Sequence, residues 1–288
     1  QDINIVRHNG DRISYGLLVA AMIIMPFFID DFYLGELSYV FILAIAGIGL
    51  MILSGYTGLA SLGHAAFLGV GAYTHAFLLT NGIPFYYSII IAVAVSFFVG
   101  AAIGFPILRL TGMYLAIATL AFGFIAEHVF IRWEHVTGGN RGMIVPTPEF
   151  AGISFYDNAT FYYVCLIALI ASMFAAINIL RSPTGRAFVA IRDSEIAAQS
   201  LGVNIARYKA LSFAISAGFT GLAGALLAHY IGYLAPDIFN IFFSLTLLLL
   251  IVVGGMGSLH GTIYGAIFVG SLPQMIAIGR DYLPSSIA

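Results

Sequence analysis

Ser61 and His64 stand three residues apart, a spacing that puts both on one face of a helix. A serine beside a histidine is the beginning of a nucleophile and its base, but the imidazole then needs a third group to orient it. No acid lies near them in the chain, which has no Asp or Glu from Leu37 to Ala126. A second pair, Ser258 and His260, is two residues apart and would not share a helix face. Helix packing by small polar residues, or the lining of a path, accounts for both pairs better than hydrolysis does, and no catalytic residue is assigned. The seven histidines show no metal-ligand spacing and Cys165 is single, so no metal or cofactor is expected. No Gly-x-x-x-x-Gly-Lys-Ser/Thr loop occurs, which leaves the chain no nucleotide-hydrolysing site of its own. Carboxylates are also missing from Asn158 to Arg192 and from Ile238 to Arg280. Glu127 is the only candidate for an ion-coupling acid, and its place near the outer end of its span favours an interfacial role.

These residues sit in a chain of 288 residues that is 61% hydrophobic and 8% charged, with a mean hydropathy of +1.01. A soluble domain of this size cannot hide that much apolar surface. Apolar runs near the ~20 residues that cross a bilayer recur along the whole length. The fold class is therefore an all-α polytopic membrane protein, with spans expected at about 14–29, 37–54, 64–80, 85–108, 113–131, 161–180, 210–231, 240–256 and 259–278. A returning tenth span would follow the ninth. Tyr15–Ile29 lies behind Arg7 and Arg12 but has no clear cleavage site for a signal peptide.

Residues 181–209 form the one long polar, basic segment, with Arg181, Arg186, Arg192, Arg207 and Lys209. Ser182-Pro183, Asp193-Ser194-Glu195, Gly202 and Asn204 punctuate it as short capped helices. With this segment inside, the N-terminus is cytoplasmic, the loop at 132–160 is extracytoplasmic, and eight of the eleven basic residues fall inside. The net charge of −2 gives no reason to expect a nucleic-acid partner. Two glycine-rich breaks interrupt apolar runs: Ser54-Gly55-Tyr56-Thr57-Gly58 through Ser61-Leu62-Gly63-His64, and Gly254-Gly255-Met256-Gly257-Ser258 through His260-Gly261. Paired breaks of this kind are what a transporter with repeated halves shows, because backbone groups loosened at depth must line protein or a watery path.

In order along the chain, Gly55-Tyr56-Thr57-Gly58, Ser61 to Phe67, Gly69-x-Gly71-Ala72-Tyr73, Gly112-Met113-Tyr114 and Thr119 to Phe122 resemble the signature of branched-chain amino-acid ABC permeases. Thr137-Gly138-Gly139-x-x-Gly142, Ser182-Pro183-x-Gly185-Arg186, Ala190 to Glu195, Leu201 to Asn204, Tyr208-Lys209 and Gly254-Gly255-x-Gly257-Ser258 are similar as well. The resemblance implies a single permease domain over 1–288, in a bacterial-type inner membrane, serving an ATP-driven importer of hydrophobic amino acids. The implied partners are a homologous second permease, two ATPase subunits, an extracytoplasmic solute-binding protein and membrane lipid. Residues 184–203 would be the coupling helices, with Gly185, Arg186, Arg192, Asp193, Glu195 and Gly202 facing the ATPase. Gly55, Tyr56, Gly58, Ser61, His64, Phe67, Thr119, Gly255, Ser258 and His260 would contribute to the path. Phe124 departs from the pattern, since many relatives carry an acid there; Glu127 is one helical turn further on. The same scaffold also serves urea or short amides, and a self-contained channel or secondary carrier is the rival of a different class.

Overall fold

Helix α1 (Asp31–Leu50) is apolar on every side, and the chain is buried without interruption from Val40 to Leu53. A helix with no polar face belongs at the centre of a bundle. The computed structural model describes residues 20–107, 110, 112–147, 149, 150, 153, 154 and 158–281. In order after α1 come α2 (His64–Thr80), α3 (Phe85–Ile107), α4 (Met113–Arg132) and the single turn α5 (Glu134–Thr137). They are followed by α6 (Asn158–Arg181), α7 (Pro183–Asp193), α8 (Glu195–Ser200), α9 (Ile205–Ile231), α10 (Ile241–Gly254) and α11 (Leu259–Asp281). Helix α9 packs along α1, α2 and α3; α1 also meets α6 and α11, and α10 pairs with α11.

Helices approach this closely because glycine takes the contact positions. A Cβ on Gly71 would collide with the backbone of Gly221 on α9, and one on Gly224 with the carbonyl of Leu68. Small residues at such crossings let backbones touch where lipid supplies no hydrophobic drive.

Helices α2, α3 and α4 match their expected spans to within a residue. Helix α1 starts earlier than expected, at Asp31, where acid in the first turn favours a helix N-terminus. Helix α9 likewise starts at Ile205, where the Asn204 side chain accepts from Arg207 N. Of the expected span at 14–29, residues 14–19 lie outside the described residues; 20–24 are helical and end in a 3₁₀ turn, Met25–Phe27. Tyr162 and Tyr163 on α6 donate to the carbonyls of Met22 and Ile23, both at 2.9 Å.

Among the described residues five helices are long and apolar enough to cross a membrane: α1 with its extension to Tyr56, α3, α4, α6 and α9. Helix α10 corrects the expectation of a span at 240–256. Its 14 residues rise about 21 Å, short of a hydrocarbon layer about 30 Å thick. The loop after α4 is tied down by pairing. Strand β1 (Met143–Ile144) runs antiparallel to β4 (Tyr233–Leu234), and β2 (Glu149–Phe150) to β3 (Ile153–Ser154). Thr137 Oγ1 donates to the Phe130 carbonyl at 2.6 Å, and the Tyr233 hydroxyl donates to the Arg141 carbonyl.

The glycine contacts predict a contrast. Gly71→Val should lower the melting temperature of the detergent-solubilised protein by several degrees, read by fluorescence-detected size exclusion after heating. Gly35→Ala, where a Cβ meets nothing within 4 Å, should leave it unchanged or slightly raised.

Candidate functional site

The last turn of α1 widens into a π-helix, Met51–Tyr56, and the chain then doubles back through Gly58 at φ 75°. Widening a helix at its end sets carbonyls free, and three of them find partners here. The Thr57 hydroxyl donates to the Ile52 carbonyl at 3.0 Å, and Leu59 N donates to the Leu53 carbonyl at 3.1 Å. The Gly55 carbonyl accepts from Arg192 Nη1 at 3.2 Å. Arg192 belongs to α7, far away in sequence, so the break in α1 is closed by the basic segment itself. The second glycine break arrives at the same place. Gly257 N donates to Met51 Sδ at 3.1 Å, and a Cβ on Gly55 would press on Gly257 N at 2.9 Å. A Cβ on Gly58 would stand 3.0 Å from Arg192 Cγ. The structure thus brings Gly55, Gly58, Gly257 and Arg192 into one cluster at the ends of α1 and α10.

The start of α2 is held by hydroxyls from three other helices. Leu62 N donates to Thr119 Oγ1 of α4 at 3.0 Å, and Ala65 N donates to Ser244 Oγ of α10 at 2.9 Å. His64 spans the gap to α9, with Nδ1 2.8 Å from Ser61 Oγ and Nε2 2.7 Å from Ser216 Oγ. One ring nitrogen donates and the other accepts, so each hydroxyl plays the opposite role. Ser61 and His64 are fully buried, and both imidazole nitrogens are taken by hydroxyls. The pair is therefore a strut and not a nucleophile with an oriented base. Phe67, also buried, packs edge-on against the His64 ring and meets Phe122 at a tilt of 35°. Ser216 is the twelfth of the 27 residues of α9, so α2 begins level with the middle of that helix.

Helices α7 and α8 are capped by Ser182 and Ser194, whose side chains accept from Thr184 N and Ala197 N. Gly202, at φ 85°, ends α8 with its N–H on the Gln199 carbonyl. Gly185 is buried where any side chain would collide with the Leu180 carbonyl, so α7 folds tightly against the end of α6. Arg186 donates to the Arg181 carbonyl at 3.3 Å, and Arg192 pairs with Asp193 at 3.0 Å. Glu195 makes a different kind of pair. Its carboxylate lies 2.7 Å from Nζ of Lys209, a lysine only 3% exposed at the start of α9. Ile196 and Leu201 are more than 80% exposed beside it, an apolar surface on a polar segment.

Other expected site residues fall elsewhere. Ser258 caps α11 by accepting from Gly261 N at 3.1 Å, away from the Ser61–His64 strut, and His260 is half-buried on α11. Gly255 is exposed and Tyr56 and Thr119 are buried. Ser216, Ser244 and Met51 carry no sequence motif that marks them. Ser212, Ser216 and Thr220, spaced by four on α9 and all buried, form a polar stripe that marks this face.

Comparison with known proteins bears on this arrangement. The chain is 34% identical to the high-affinity branched-chain amino acid transport system permease protein LivM of Salmonella typhimurium, over 95% of this chain and 71% of that protein. LivH of Escherichia coli K12, a permease protein of a branched-chain amino acid system, is 31% identical over 37% of this chain and 34% of its own. LsrC of an Enterobacter, a permease of an autoinducer 2 import system, is 25% identical over 74% of this chain and 62% of its own. No solved structure matches the chain. Residues 32–283 match the family described as branched-chain amino acid transport system / permease component, and this polytopic α-helical chain belongs to that family.

Proposed function

We propose that this chain is one of two permeases in an ATP-binding-cassette importer for branched-chain amino acids, in a bacterial-type inner membrane. The observation that carries the mechanism is the Arg192 contact, because it links a surface segment to both glycine breaks. In this reading α7 and α8 sit in a cleft of an ATPase subunit, with Ile196 and Leu201 as its apolar footing. Movement of α7 then reaches the π-turn through the guanidinium, and a π-turn is an element with alternative hydrogen-bonding registers. Gly58, Gly255 and Ser258 stand at the inner mouth of the path. The buried Ser61, His64, Phe67 and Thr119 stiffen its wall, with Gly55, Tyr56 and His260 close behind. The N-terminus is cytoplasmic and the loop at 132–160 faces a solute-binding protein.

The likeness to LivM over nearly the whole chain favours branched-chain amino acids over urea or amides. Two outcomes test the coupling. In cells that carry the complete importer, Arg192→Ala should cut leucine uptake at least tenfold while the purified complex keeps its subunits and hydrolyses ATP. Wild-type uptake by that variant would remove Arg192 from the coupling route. Joint replacement of Arg192 and Glu195 is less clean, since Glu195→Ala strands Lys209. Loss of one partner of a buried pair costs about 3–5 kcal/mol, and the exposure of Glu195 lowers this to roughly 1–3 kcal/mol. Glu195→Ala should therefore lose thermal stability, and adding Lys209→Met should restore most of it.

A further inference from the structure

We propose that Glu127, in a groove between α2, α4 and α10, receives the ammonium group of the transported amino acid. This rests on the importer reading above. The groove is shallow, about 10 Å³ and so room for little more than one ammonium-sized group, with Leu62, Leu120, Phe124, Phe239 and Ile241 as apolar walls and Glu127 as its only charged lining residue. It is narrow, one wall of a site that the exposed face of α4 leaves open on the other side. Met113, Tyr114, Ile117 and Ile125 on that helix are all more than half exposed.

The neutral polar groups of the groove are already engaged. Leu62 N is taken by Thr119 and Ala65 N by Ser244. The Asn240 side chain accepts from Phe243 N and donates to the Asp237 carbonyl. The start of α2 thus has hydroxyl partners of its own and does not call for an anion at these two amides. Glu127 differs. It is the fifteenth of the 20 residues of α4, half-buried, and among the described residues the ion pairs are Arg192–Asp193 and Lys209–Glu195, both on the basic segment. A carboxylate within an apolar span is stable when a cation meets it. An α-ammonium brings a full positive charge and three donors, and the aliphatic side chain of the same amino acid suits the leucine and phenylalanine side chains nearby. Urea and amides can donate N–H groups to the carboxylate but bring no compensating charge, so an ammonium gains more from this residue than they do.

The test uses the intact importer in proteoliposomes, supplied with leucine-loaded binding protein. Glu127→Gln should lower maximal leucine uptake about tenfold. The amount of loaded binding protein giving half-maximal uptake, the unstimulated ATPase rate and the recovery of the complex should stay at wild-type values. Glu127→Asp should regain part of the lost rate. Wild-type uptake by Glu127→Gln would overturn the site and leave the importer reading standing, and so would a loss of uptake that follows lost assembly. If the wild-type complex itself carries a neutral solute and no leucine, isoleucine or valine, the substrate reading beneath it fails.

Discussion

An amide or carbonyl set free in hydrocarbon has only protein to bond to, and leaving one unpaired costs several kcal/mol. This chain nevertheless breaks α1 from α2 and α10 from α11 among apolar helices. What makes the breaks tolerable is a set of partners brought from elsewhere in the chain. Thr119, Ser216 and Ser244 reach α2 and its strut from α4, α9 and α10, and Arg192 reaches the π-turn from α7. Several polar residues of the spans therefore stand where the broken backbone is.

The same constraint gives the broken ends mechanical consequence. A hydroxyl bonded to a buried helix start fixes one geometry, so α2, α4, α9 and α10 are pinned together around His64. The Gly55 carbonyl is different, because its partner arrives on a long side chain from a surface helix whose guanidinium also pairs with Asp193. Lys209 anchors the other end of that surface segment through Glu195. In the proposed importer the pinned region is the frame, and the arginine contact is where outside force enters.

Much of this was legible in the sequence, because apolar run lengths and caps act locally. Ser182, Ser194 and Asn204 each cap a helix as their residue types require. The glycine breaks were also legible, since glycine in an apolar run has few other reasons to cluster. Their meeting was not, because Gly55 and Gly257 lie some two hundred residues apart and only packing joins them. The Ser61–His64 spacing was expected to put both on one helix face, but α2 begins at His64 and Ser61 lies in the irregular stretch before it, and the third group is Ser216, with no motif of its own. The half-length of α10 was hidden as well. A run of apolar residues at 240–256 looks the same whether it crosses a bilayer or begins part-way along a neighbour.

That half-length shapes the outer wall of the molecule. Gly69 and Tyr73 of α2 pack against Phe130 near the end of α4, α10 begins only at Ile241, and the groove with Glu127 lies between the starts of α2 and α10 and the face of α4. The central α1 span is 83% buried while the α4 span is 22% buried, although both are apolar enough to cross a membrane. A helix this bare, bordered by a groove with one carboxylate, is poorly explained by contact with lipid alone, which would favour an unbroken apolar face. In the proposed importer it is the surface that a second permease would complete.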